Sequence, residues 1–106
     1  MTKNQINLEE LSQIIDQRIA SQDSKSYVNN LIKSGINSVA QKVGEEATEV
    51  VIASIQNHNE ATSKAKEHLI NEFCDLFFHS LILMKQNNID LSDLYQEFFN
   101  RNQQKK

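Results

Sequence analysis

The chain has 106 residues and a mass of 12.2 kDa, enough for a single domain around one modest core. It contains no proline and only two glycines, which excludes the immunoglobulin-like sandwiches and small barrels that need turn residues every ~8–12 positions. An apolar content of 39% with 24% charged residues excludes collagenous and disordered chains. The 14 acids and 11 bases leave a net charge of −3, with no electrostatic footprint for nucleic acid or an anionic membrane. One cysteine, Cys74, provides neither an intramolecular disulfide nor a thiolate metal site. The opening MTKNQINLEELSQ lacks the apolar core of a signal peptide, and no stretch approaches the ~18 apolar residues of a membrane span. The expectation is a cytoplasmic all-α protein, one domain over 1–106 with an ordered core over about 8–101.

Residues 8–20 place Leu8, Leu11, Ile14, Ile15 and Ile19 at helical spacing. SQDSKS then reads as a loop that offers Asp23 or Ser24 as N-cap for a short helix over 25–34, with Gly35 closing it in a left-handed C-cap. A longer helix is predicted over about 36–57, with His58-Asn59 as a weak break before another over about 60–87. Asn87-Asn88 ends that helix, and Asp90 caps a last one whose apolar face is Leu91, Leu94, Tyr95 and Phe98, leaving RNQQKK as a frayed tail. The pattern predicts an antiparallel bundle of four to five helices. Over 69–84 the fourth helix is apolar around most of its circumference, with Phe73, Phe77 and Phe78 read as core or interface residues and Cys74 as a core residue. A chain this short has too few partners to cover such a helix, so a homodimer is expected.

The polar residues of this helix are concentrated. His68, Glu72, Asp75 and His79 fall within an arc of roughly 60°. On the preceding helix the apolar face carries Ile36, Val39, Val43, Val50 and Val51, while Lys42, Glu45, Glu46 and Glu49 occupy one flank. Glu46 and Glu49 stand at i, i+3, as do Glu72 and Asp75, so each pair can present its carboxylates to one point. Antiparallel packing brings the two windows level, and carboxylates so gathered repel one another unless a cation neutralises them or some are protonated. Oxygen ligands without thiolate suit Mg²⁺, or Mn²⁺, which commonly also binds substrate phosphates. Lys42 beside them is a candidate phosphate contact. The alternative is a solvated acidic face laced with i, i+4 pairs. Gly44 reads either as a tight packing point or as space for a ligand. No His-Glu-x-x-His, paired Glu-x-x-His or glycine-rich phosphate loop is present.

The ExxE of Glu46 and Glu49, followed after 22 residues by the ExxD of Glu72 and Asp75, resembles the all-α nucleoside triphosphate pyrophosphohydrolases of the MazG-like superfamily. SYVNNLIKSG, QKVGEEATEVVIAS, NEFCDLFFHSLILM and IDLSDLYQEFFNR together resemble the phosphoribosyl-ATP pyrophosphohydrolase family of histidine biosynthesis. The resemblance implies hydrolysis of 1-(5-phosphoribosyl)-ATP to phosphoribosyl-AMP and pyrophosphate. It implies Mg²⁺ held by Glu46, Glu49, Glu72 and Asp75, with Glu45 as a further ligand or water-orienting base. Substrate contacts would come from Lys42, Lys33, Ser26, Tyr27 and His79, in a dimeric enzyme. Phe78 stands where the family commonly has a tyrosine. With one cysteine, the chain is expected to lack the zinc-dependent cyclohydrolase often fused to this family, so a separate protein would perform the next step. Two other readings are a house-cleaning pyrophosphohydrolase acting on free nucleotides and a non-catalytic helical interaction module.

Overall fold

Capping chemistry decides where the helices begin. The structure, a computed structural model, describes residues 3–104. Asn7 opens α1 (Leu8–Ser21) with a capping box: its Oδ1 accepts from the Glu10 N–H at 2.9 Å, and its own N–H donates to Glu10 Oε1 at 3.0 Å. The cap of α2 (Tyr27–Lys33) is Ser26, not Asp23 or Ser24. Asp23 instead makes a local turn, its Oδ1 accepting from the Lys25 N–H and its carbonyl from the Ser26 N–H. Gly35 does not supply the left-handed C-cap. Ser34 ends α2 in right-handed geometry, and Gly35, at φ 98° and ψ 162°, is the N-cap residue of α3 (Ile36–Glu60). That backbone region is open to glycine and strained for other residues.

The predicted break at His58-Asn59 is also corrected. Without proline or glycine there, α3 continues to Glu60, and Ala61 turns left-handed with its N–H on the Asn57 carbonyl at 2.8 Å. Thr62 caps α4 (Ser63–Gln86) through Oγ1 and the Ala65 N–H at 3.1 Å. A Schellman motif closes α4 as expected at Asn87-Asn88: Asn88 has φ 58°, and the Ile89 and Asn88 N–H groups reach the Met84 and Lys85 carbonyls. At the start of α5 (Leu91–Gln104), the Asp93 carboxylate accepts from the Asp90 N–H at 2.9 Å. The expected frayed tail is helical through Gln104, with Lys105 and Lys106 outside the described residues. No strand occurs among the described residues, so the fold is an all-α bundle.

Helices α3 and α4 form an antiparallel hairpin that dominates the packing, with α1 and α2 laid across the end away from the turn. Ile15, Val28, Val39 and Ile82, one from each of these four helices, are fully buried. Two polar ties hold the outer layer. Asn29 Nδ2 donates to the Arg18 and Asp23 carbonyls, and Lys85 Nζ donates to Asp16 Oδ1 at 2.8 Å and Ser12 Oγ at 2.7 Å. Part of the expected core lies at the surface of the single chain. Cys74, expected in the core, is exposed, as are Ile36 and Val51 of the predicted apolar face of α3; Phe73 and Phe77, read as core or interface, are also exposed. Phe98 on α5 is 62% exposed, although the predicted face begins with buried Leu91. Among the described residues, no helix is long and apolar enough to cross a membrane.

A Cβ at Gly44 would meet nothing within 4 Å, which removes the tight-packing reading of that residue. Gly44→Ala should therefore raise the unfolding free energy by about 1 kcal/mol through helix propensity. Ile82→Ala, which empties a fully buried position, should lower it by about 2–5 kcal/mol. Urea titration reads both, and a loss for Gly44→Ala would contradict the open environment.

Candidate active site

The short turn at Ala61-Thr62 sets the register that brings Glu46 and Glu49 on α3 opposite Glu72, Asp75 and His79 on α4. Glu46 is a carboxylate buried in the seam, 7% exposed, between apolar Val39 and Val50 on its own helix. Its Oε1 lies 2.6 Å from His79 Nδ1. The Nδ1–H, however, is aligned on the Asp75 carbonyl at 2.9 Å, so Oε1 is buried beside an imidazole without a well-aligned donor. On the other side of the ring, His79 Nε2 meets the Tyr27 hydroxyl at 2.7 Å. Tyr27 and Phe78 enclose the imidazole, both edge-on to it, with ring centroids at 5.7 and 5.2 Å.

Burial pushes the Glu46 carboxyl above its ordinary range, His79 and Lys42 oppose this, and the charge of Asp75 adds to it. The Glu72 carboxyl is also raised, first by desolvation and then by Glu49, which faces it closely enough for a shared hydrogen bond. His68 Nε2, 3.8 Å from Glu72 Oε2, partly offsets this. Four carboxylates from two helices thus act on one another. Among the described residues, no three His, Cys, Asp or Glu side chains are already closed into a metal-binding geometry. The donor set is nonetheless all oxygen and electrostatically frustrated, the chemistry a hard divalent cation relieves.

The remaining predicted residues are placed differently. Lys42, one turn before Glu46, is half-buried, and its charge reaches that carboxylate. Glu45 is exposed, its Oε2 accepting from Gln41 Nε2 at 3.1 Å. Ser26 is occupied as the cap of α2. Lys33 is exposed in the last turn of that helix. His79, expected against substrate, is 5% exposed and engaged on both ring nitrogens. Sequence periodicity had no means of joining Tyr27 to His79, 52 residues away.

Residues 8–102 match the family described as phosphoribosyl-ATP pyrophosphohydrolase. The chain belongs to this family. A phosphoribosyl-ATP pyrophosphatase of Clostridium acetobutylicum is 42% identical over 97% of this chain and 86% of its own length. One from Metallosphaera sedula is 42% identical over 89% of this chain and 94% of its own length. A histidine biosynthesis bifunctional protein of Bacteroides thetaiotaomicron is 40% identical over 89% of this chain, which covers 43% of that longer protein. Membership in the phosphoribosyl-ATP pyrophosphohydrolase family selects the first of the three sequence-based readings over nucleotide house-cleaning and a non-catalytic module.

The raised carboxyls have a consequence for stability. A folded chain that holds protons released by the unfolded chain at their ordinary pKa near 4.5 loses stability as pH rises from that value through the raised folded values. The metal-free protein should therefore melt at a lower temperature at pH 7 than at pH 5, to the extent these two groups control the profile. Glu72→Gln should reduce this slope and raise the melting temperature at pH 7. A steeper slope in Glu72→Gln would show that Glu72 is not held against like charge.

Proposed function

We propose that this chain hydrolyses 1-(5-phosphoribosyl)-ATP at the α–β phosphoanhydride, with Mg²⁺ (or Mn²⁺) held by Glu46, Glu49, Glu72 and Asp75. The activity follows from the family. The observation that supports the metal assignment is the convergence of four mutually repelling carboxylates in the α3–α4 seam. When bound, the ion would neutralise phosphate charge and make a water more acidic. The protein groups then have distinct tasks. Lys42, on the accessible edge of the seam, contacts phosphate oxygens. Glu45 is the exposed carboxylate left to orient water and accept its proton, with release of that proton to solvent. Water adds across the anhydride, the P–O bond to the β-phosphate breaks, and pyrophosphate leaves phosphoribosyl-AMP behind. Lys33 and Ser26, on the α2 side, would form the wall nearest the rest of the substrate.

The reading includes a homodimer. Ile70, Phe73 and Phe77 on α4 and Phe98 and Phe99 on α5 are each at least 40% exposed, an apolar surface that a second copy would cover. Between α4 and α5 runs a groove of about 400 Å³ lined by Leu8, Leu76, Phe77, Leu81, Leu91 and Phe98. The radius of gyration, 16.2 Å, exceeds the ~13 Å of a compact chain of this length, consistent with helices that extend onto a partner. The cytoplasm is the compartment this biosynthetic reading implies.

Purified protein with phosphoribosyl-ATP and Mg²⁺ should release pyrophosphate, and EDTA should stop it. Release of orthophosphate, or indifference to EDTA, would contradict the proposal. Asp75→Asn should reduce turnover by at least about 100-fold while circular dichroism stays helical. Sedimentation at micromolar concentration should give a dimer that Phe98→Glu weakens, and a wild-type monomer would remove the interface.

A further inference from the structure

Tyr27 and His79 occupy an unusual position in this site. His79 is a histidine in the helical seam, 5% exposed, with every polar edge engaged. Its Nδ1 faces the Asp75 main-chain carbonyl at 2.9 Å, which only accepts, and lies 2.6 Å from Glu46 Oε1. A ring nitrogen aligned on a carbonyl oxygen must carry hydrogen. In the neutral ring Nε2 is then the acceptor, and the Tyr27 hydroxyl, 2.7 Å away, is the donor. The direction of the chain is fixed by its chemistry: Tyr27 O–H to Nε2, then Nδ1–H toward the Asp75 carbonyl and the Glu46 carboxylate.

We infer that His79, locked in the Nδ1–H tautomer by Tyr27, is the positioning residue that orients Glu46 for the cation of the acidic site. The inference rests on the proposed metal-dependent function. Neither residue needs to touch the reacting phosphates for this role. The imidazole restrains Oε1 in the seam and leaves Oε2 as the oxygen available to the ion. The rings of Tyr27 and Phe78, edge-on to the imidazole, prevent it from rotating. Groups that orient metal-binding side chains in this way typically change metal affinity or activity by 10–100-fold when removed. Tyr27 also stands at the first turn of α2, so the same hydrogen bond fixes that helix relative to the carboxylates.

The test is Mn²⁺ affinity by titration calorimetry together with steady-state kinetics. Tyr27→Phe, at a half-exposed ring whose deletion removes one hydroxyl, keeps the fold. It should weaken Mn²⁺ binding and lower kcat about tenfold each with KM little changed. His79→Leu should lose about 100-fold in both, and His79→Asn, whose amide can place a donor where Nδ1–H stands, should recover about tenfold of that loss. Unchanged Mn²⁺ affinity in Tyr27→Phe would overturn the inference, as would a rise in KM alone, which would make Tyr27 a substrate contact. His79→Asn behaving no better than His79→Leu would likewise overturn it. If the Mn²⁺ shifts occur as expected but wild-type protein releases no pyrophosphate, the functional reading fails and the positioning role stands.

Discussion

Like charge gathered between two helices is the constraint on which the rest of this structure depends. Glu46 is buried in the seam, Glu49 faces Glu72, and the charge of Asp75 reaches both Glu46 and Glu72. Such an arrangement opposes folding of the metal-free chain, and it survives because the seam is closed at both ends by apolar packing. Val39 and Ile82 close the end under α1 and α2, while Ala53 and Ala65 close the end near the turn. The hydrophobic ends hold the helices in register, and the register forces the carboxylates together. Stability is thereby given up where the carboxylates meet.

The site has a dry side and a wet side. His79 sits on the dry side with both nitrogens engaged, joined to Tyr27 of α2. Lys42, half-buried, and Glu45, exposed, stand on the wet side. Beyond the site, α4 presents phenylalanines away from the seam and α5 makes little contact outside its first turn. Helix α4 therefore carries two surfaces, one polar stripe toward α3 and one exposed apolar arc.

Much of this was legible in the sequence. The spacing of Glu46, Glu49, Glu72 and Asp75 follows from helical periodicity, and the absence of proline restricted the chain to long helices. The ends were less legible. His58 and Asn59 suggested a break because both are weak helix formers, but propensities of a few tenths of a kcal/mol yield to a helix already packed on its neighbour. Gly35 was assigned to the end of α2 because a glycine after a helix usually closes it, whereas here its positive φ starts the next one. The hydrogen bond from Tyr27 to His79 was not legible at all, since neither periodicity nor spacing relates residues on α2 and α4. Cys74 was misplaced for a simpler reason: on a helix apolar nearly all round, the side that faces the core cannot be told from the side left exposed.

The central claim is that carboxylates from α3 and α4 act on one cation, and a double-mutant cycle on Mn²⁺ affinity tests it most directly. Glu49→Gln and Glu72→Gln, separately and together, should each weaken binding, with the double variant little worse than either single one, because one ion loses its bridge between the helices in all three. Losses that simply add, or no loss at all, would mean that the two helices do not share an ion.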